Sequence, residues 1–244
     1  MQTKTLYTLL FVAFGLIIGG YSDVAPKNDL EEHVLTLLSK WRQGTLETNL
    51  FTLPSIKSIG LEPLNIEYSD GGIQLQITAE DVSLTGIDSF VVESLDVQEN
   101  SEFLNISGIL RIPTLTLSAA TYRLSGRAVI IPLRGNGVMT IDVLDASVQV
   151  NLPVANVNDE YTKVDDVSLS YSIGQVRANL QRAGLVNNIL SSQGPGILEG
   201  LQGNVVTALT DWAVPLADQY LAKVTLPELT EIIADLAVTS TVQA

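Results

Sequence analysis

The run from Ile197 to Ala222 limits what this 244-residue chain can become more than any other stretch. Leu198, Leu201, Val205, Leu209, Trp212, Leu216 and Tyr220 recur every three or four residues, the helical period. Val206, Ala208, Ala213, Val214, Ala217 and Leu221 add apolar surface on the other sides, and no charge lies between Glu199 and Asp211. A helix that is apolar nearly all round is expected to be buried on most of its faces. Gln202, Asn204, Thr207, Thr210, Asp211 and Pro215 interrupt the run short of the roughly 20 apolar residues of a membrane span. At about 1.5 Å per residue the helix would be ~40 Å long, and only an extended sheet could cover that length. Pro215 is expected to kink it, by removing one backbone donor and crowding the preceding turn.

The chain before it reads mostly as strand. Ile73, Leu75, Ile77 and Ala79 alternate with Gln74, Gln76 and Thr78, the pattern of a half-buried strand. The phase slips at Glu80-Asp81, and Val82 and Leu84 carry on. A second slip falls near Asp145-Ala146, between the Met139, Ile141, Val143 set and the Val148, Val150, Leu152 set. Slips of this kind predict bulges, which let a sheet curl. Strands are also expected over Phe90–Val97, Phe103–Leu117, Tyr122–Gly126, Arg127–Leu133, Val164–Ile173 and Val176–Leu180. Pro113 marks an edge or a bend. Gly135-Asn136-Gly137 reads as a hairpin turn, as do Asn156–Glu160 and Gly174. Such a succession makes an antiparallel meander.

Short helices flank this body. Asn28 and Asp29 precede Leu30, Val34, Leu37, Leu38 and Trp41, with Glu31 and Glu32 in the first turn, where the helix dipole favours them. Thr225-Leu226-Pro227-Glu228 is a capping box that opens a last amphipathic helix through Leu236. Gly194-Pro195-Gly196 reads as the loop entering the long helix, and Gly196 with Gly200 as a close-packing pair. The expected fold is therefore α+β: a long C-terminal helix wrapped by a highly curved antiparallel sheet, with short helices at the N-terminus and C-terminus. Residues 1–22 are expected to be a signal peptide, on the apolar run Leu6–Gly20 after Lys4. Residues 23–238 form one domain, and 239–244 a frayed tail. The protein is accordingly expected to be secreted.

Composition narrows the chemistry. There is no cysteine, which removes disulfides, thiol catalysis and zinc fingers. His33 is the only histidine, too little for a triad or a metal cluster. The charge of −14 opposes contact with nucleic acid or anionic membranes at long range. Carboxylate pairs at Glu80-Asp81 and Asp165-Asp166 read as solvated strand ends. No G-x-S-x-G, H-E-x-x-H or phosphate loop is present. Asn105-Ile106-Ser107 is a glycosylation sequon. The reading is non-catalytic: no cofactor, no metal, no nucleic-acid partner and no stable membrane insertion, with a cell-surface receptor left open and unidentified.

A curled sheet around an apolar helix leaves an elongated cavity, and an empty apolar cavity costs about 24 cal/mol per Å³. Burying a lipid chain there gains about 0.8 kcal/mol per CH₂. The candidate lining is Leu75, Ile77, Leu117, Met139, Ile141, Val143, Leu209, Trp212 and Tyr220, with the Tyr220 hydroxyl available to a ligand head group. The other reading is a protein-interaction or innate-recognition module with a filled core.

Several motifs carry a resemblance. They are Arg123-Leu124-Ser125-Gly126-Arg127 through Ile130-Ile131-Pro132-Leu133-Arg134-Gly135-Asn136-Gly137, together with Gly86-Ile87-Asp88-Ser89-Phe90, Glu62-Pro63-Leu64, Asp211-Trp212 and Pro227-Glu228-Leu229. In this order they resemble the insect takeout and haemolymph juvenile hormone-binding protein family, over about Leu61 to Ala237. The resemblance implies a secreted tubular lipid-binding fold with one apolar ligand in an internal tunnel: a juvenile hormone-like isoprenoid, a fatty acid, a pigment or an odorant. The family usually carries a disulfide near the mature N-terminus, which this chain lacks. The cysteine-free mite group 7 allergens are similar in fold.

Overall fold

The computed structural model describes residues 24–47 and 52–243, the side chains of 52, 53, 208, 209, 212, 213, 216 and 243 excepted. The expected signal peptide, residues 1–22, lies outside them. In chain order the elements are helix α1 (Asp29–Gln43) and strands β1 (Thr45–Glu47), β2 (Thr52–Leu53), β3 (Ser58–Leu61), β4 (Leu64–Asp70) and β5 (Ile73–Thr85). After a 3-10 turn at Ile87–Ser89 come β6 (Val91–Glu99), β7 (Phe103–Ala128), β8 (Ile131–Val157), β9 (Tyr161–Val164) and β10 (Ser168–Leu180). Helices α2 (Val186–Gly200), α3 (Gln202–Leu221) and α4 (Leu226–Thr239) follow, and β11 (Thr241–Gln243) closes the chain.

A large, curved antiparallel sheet dominates, in the order β10-β8-β7-β5-β3, with β4 on β5, β6 on β7 and β9 on β8. Its spine is the hairpin β7–β8, of 26 and 27 residues, paired from Phe103↔Ala155 to Ala128↔Ile131. The expected separate strands over 103–133 are thus one strand, a turn and the start of the next. Both predicted phase slips are present as irregularities. Asp81 and Asp145 take left-handed φ of 52° and 51°, and the β7–β8 register shifts between Ala119 and Tyr122. Arg111 clamps the second slip through a 2.6 Å ion pair with Asp145.

Pro113 falls where β7 changes partner. β6 ends its pairing at Val91↔Arg111, and β5 begins at Thr85↔Thr116. The residue without an N–H thus sits at the gap in the ladder, which is where a proline in a sheet is tolerated. The chain that bridges this gap turns at Gly86, with φ of 90°, and packs directly onto the Thr114 carbonyl. Any Cβ at Gly86 would collide with that oxygen.

The hairpin turn is misplaced by the sequence reading. Gly135-Asn136-Gly137 lies inside β8, and the turn is Val129-Ile130, with Val129 at φ 55°. The glycines serve close approach instead: a Cβ on Gly135 would meet the Tyr122 hydroxyl, and one on Gly137 the Gln181 side chain. Gly174 likewise lies within β10, opposite the Asp145 irregularity, rather than in a turn. The Asn156–Glu160 turn stands as expected, with Asn158 and Asp159 at positive φ.

The helices also depart from expectation. The Ile197–Ala222 rod is two helices meeting at Leu201, and α2 begins eleven residues earlier, at Val186. Gly194-Pro195-Gly196 is therefore helical. Gly194 makes the close contact: a Cβ there would stand 2.7 Å from Val176 Cβ, whereas one on Gly196 meets nothing within 4 Å. α2 buries Val186, Leu190, Gly194 and Ile197 on the sheet and satisfies the free edge of β10. Leu180 N–H donates to Asn187 Oδ1, Asn187 Nδ2 donates to the Leu180 carbonyl, and Ala178 N–H donates to Ser191 Oγ. An edge strand so covered offers no ladder to another chain.

α3 is not wrapped. None of its described side chains is buried, Val205 is 41% exposed and Tyr220 58%. It runs along the flank of β9 and β10 rather than across the sheet, held where Asp218 Oδ1 accepts from Val164 N–H and Thr162 Oγ1 donates to the Leu221 carbonyl. Pro215 lies within the continuous α3 and does not end it.

The remaining helices close one end. Asn28 caps α1 by accepting from Glu31 N–H, as expected. Glu31 itself is buried at 1% exposure and ties α1 to β6 by accepting from Val97 N–H and Lys27 N–H. The capping box of α4 is formed, Thr225 N–H and Oγ1 both donating to Glu228 Oε2. The tail does not fray at 239: β11 pairs with β1, and Lys40 Nζ donates to the carbonyls of Ala237 and Ser240.

Two consequences are measurable. Gly194→Val should lower stability by about 2 kcal/mol or more through overpacking on Val176, while Gly196→Val should change it little; chemical denaturation separates them. The second concerns pH. The ammonium of Lys27, hydrogen-bonded at 2.8 Å, holds the Asp96 carboxyl below the usual aspartate range, with help from Gln98. Its contribution is fully present above that range and is lost as pH falls through the lowered value. The melting-temperature gap between wild type and Asp96→Asn should therefore be constant near neutrality and close in acid.

Candidate functional site: an apolar strip between two packed cores

The buried side chains form two clusters along the sheet. One gathers Phe90, Leu95, Leu104, Leu110, Val150 and Val154 with Val34, Leu38 and Trp41 of α1. The other gathers Leu75, Ile77, Tyr122, Leu124, Leu133 and Met139 with Val186 and Leu190 of α2. Between them the same face carries Leu84, Leu115, Leu117, Ile141 and Val143, all aliphatic and all only half-buried.

Register brings these five together. Leu84 pairs with Leu117, Leu117 with Ile141, and Leu115 with Val143. They fall between Ile112 and Ala119 on β7, and Ala119, Val82 and Met139 in the next row are buried. The exposure is therefore a property of this level of the sheet. Among the described residues these aliphatic side chains lie at the margins of two closed cores and yet keep partial solvent access.

The predicted lining divides three ways. Leu117, Ile141 and Val143 lie in the strip. Leu75, Ile77 and Met139 are 5%, 8% and 2% exposed and belong to the second packed cluster. The backbones of Leu209 and Trp212 are helical, but their side chains lie outside the described residues. Tyr220 is exposed on α3. Leu84 and Leu115 were missed, although Leu84 follows from the alternation after the Asp81 slip and Leu115 is two residues from Leu117.

Polar groups near the strip are mostly engaged. Tyr171 hydroxyl donates to the Leu198 carbonyl at 2.7 Å, and burial, with Glu199 nearby, raises its pKa. Gln202 Nε2 donates back to the Tyr171 carbonyl, so β10 and the α2–α3 junction are bound at this level. Thr116 Oγ1 donates to Asp142 Oδ1 on the opposite face. Tyr122 donates to the Gln181 carbonyl, and burial raises its pKa too. What remains on the strip is hydrocarbon. It can hold an apolar molecule by burial, and it offers no acid, base or nucleophile.

Two open clefts lie towards the β7–β8 turn. One, of about 400 Å³, is lined by Glu67, Tyr68, Leu75, Gln76 and Gly126 among others. The other, of about 800 Å³, is lined by Thr78, Glu80, Arg123, Arg134 and Asn136 among others. Of the predicted lining only Leu75 touches either. Among the described residues no group of three His, Cys, Asp or Glu side chains is placed to hold a metal ion. His33 is half-buried on α1. Asn105 lies in β7 with partners on both sides, and its Oδ1 is buried without a hydrogen bond.

The comparisons with known proteins agree with this architecture. The family model described as haemolymph juvenile hormone binding protein matches residues 21–231. No curated protein sequence matches significantly. Among solved structures the chain is similar to takeout 1 of Epiphyas postvittana, with a TM-score of 0.51 at 16% identity, covering 69% of this chain and 81% of that one. A lipopolysaccharide binding protein aligns at a TM-score of 0.34 and 10% identity, over 64% of this chain and 33% of that one. At that score the second likeness carries no weight. With a family model spanning most of its length and a takeout structure sharing its fold, the chain belongs to the haemolymph juvenile hormone-binding protein family.

Proposed function

We propose that the protein is a secreted, non-catalytic carrier of one small hydrophobic molecule, held against the strip of Leu84, Leu115, Leu117, Ile141 and Val143. The observation that supports this is the half-burial of five aliphatic side chains on the face of the sheet whose neighbours on either side are closed. A chain covering ten methylene groups there would gain roughly 8 kcal/mol before entropy losses, enough for micromolar affinity. The matching family model, named for juvenile hormone binding, supports the same reading. Cargo of this kind is an isoprenoid, a fatty acid, a pigment or an odorant, selected by length and width rather than by charge. Secretion rests on the apolar leader expected at residues 1–22, and on no helix among the described residues being long and apolar enough to cross a membrane.

The competing reading, an interaction module with a filled core, makes the strip a place where packing is merely loose. Ile141→Trp separates the two. Titration of delipidated protein with a fluorescent fatty acid should show wild-type binding at about one molecule per chain. The variant should bind at least tenfold more weakly, a loss of about 1.4 kcal/mol, with thermal stability kept or raised. If wild type binds no apolar probe and the indole simply stabilises the fold, the carrier reading fails.

A further inference from the structure

The β7–β8 turn is made of the wrong residues for its geometry. A two-residue hairpin turn whose first central residue alone has positive φ favours glycine at that position. Here Val129 takes φ 55°, a conformation β-branched residues rarely adopt. Val129 is 71% exposed, Ile130 89% and Ile131 46%. Three consecutive aliphatic side chains thus project from the end of the long hairpin, where they support no core. The turn is nonetheless fixed, since Val129 N–H donates to the Gly72 carbonyl of the neighbouring hairpin at 2.7 Å.

Charge around this tip runs opposite to the rest of the chain. Between Glu102 and Asp142 there is no acidic residue, and there are four arginines, in a protein with net charge −14. Arg111 is paired with Asp145 at a distant level of the sheet. Arg123, Arg127 and Arg134 are exposed beside the tip, where β7 and β8 run Arg123↔Asn136, Ser125↔Arg134 and Arg127↔Pro132. Arg127 Nε donates to Gln74 Oε1, and among the described residues none of the three forms a salt bridge. The acids of this end, Glu67, Asp70 and Glu80, sit on β4 and β5, with Glu80 sharing the larger cleft with Arg123 and Arg134.

We infer that the Val129-Ile130-Ile131 tip is a membrane-docking element that enters the interface of a phospholipid bilayer while Arg123, Arg127 and Arg134 engage its anionic head groups. Apolar side chains flanked by arginine match the two layers of a lipid surface, hydrocarbon below and phosphate above. Guanidinium groups suit phosphate by charge and geometry. The acidic bulk of the protein opposes this at long range, but charges beyond about 8 Å are screened at physiological ionic strength. Docking is therefore end-on and reversible. It goes beyond the carrier reading and does not depend on it, because the tip lies away from the strip.

The test is flotation of the full mature chain with phosphatidylcholine vesicles, alone or containing phosphatidylserine. The wild type should float with the phosphatidylserine vesicles and at least tenfold less with phosphatidylcholine alone, and salt should release it. The double substitution Val129→Gly/Ile130→Ser should raise thermal stability, because glycine suits the positive φ at position 129, yet reduce vesicle binding at least tenfold. Arg127→Glu/Arg134→Glu should lose the preference for phosphatidylserine. Ile141→Trp, which blocks the strip, should float as wild type does. Wild type that stays with neither vesicle, or a Val129→Gly/Ile130→Ser variant that floats undiminished, overturns the inference, and a protein receptor then becomes the occupant of the tip.

Discussion

The pairing of β7 with β8 is the interaction on which the rest of this protein depends. The two strands run together over their whole length, and every other strand of the main sheet attaches to one of them or to β5 beside them. At about 3.3 Å per residue such strands are several times longer than is usual. They can be this long because they are not straight. The left-handed aspartates, the gap at Pro113 and the shift near Ala120 bend the ladder while preserving its hydrogen bonds. One hairpin thereby supplies the backing for two separate cores.

Having two cores on one spine leaves a level that neither fills. α1 and α4 close one cluster, and α2 closes the other by bringing Gly194 hard against Val176. Leu84, Leu115 and Val143 lie at the margin of the first cluster and Leu117 and Ile141 at that of the second, none of them fully buried. Loose packing in a core is ordinarily destabilising, since missing neighbours forfeit dispersion contacts. Here the deficit is confined to consecutive rows of aliphatic side chains, on the face where a carried hydrocarbon would replace the missing contacts.

How much of this was legible depends on which signal a residue gives. Alternation read the strands, and its interruptions at Asp81 and Asp145 found the bends, because a phase slip is recorded directly in side-chain polarity. The Thr225–Glu228 cap was legible for the same local reason. What failed depended on partners far away in sequence. Gly135 and Gly137 look like turn residues, and only the closeness of Tyr122 and Gln181 explains them. Val129-Ile130 carries no turn signal, because its turn is imposed by the strands and the Gly72 contact. Gly-Pro-Gly reads as a break, but Gly194 is demanded by the neighbouring strand. The apolar rod was read as one helix because periodicity counts apolar residues and does not record the junction at Leu201. Alternation placed Leu117, Ile141 and Val143 on the core side of the sheet, but it could not separate a row packed solid, such as Met139, from a row only half-buried.

The most direct test of a carried apolar molecule at the strip is methyl NMR of delipidated protein labelled at Ile, Leu and Val, titrated with a spin-labelled fatty acid. Resonances of Leu117, Ile141 and Val143 should broaden first and saturate at one equivalent, with Phe90-side and Leu124-side methyls little affected. Broadening confined to Val205 and the other exposed side chains of α3, or no saturable effect at the strip, would contradict the account.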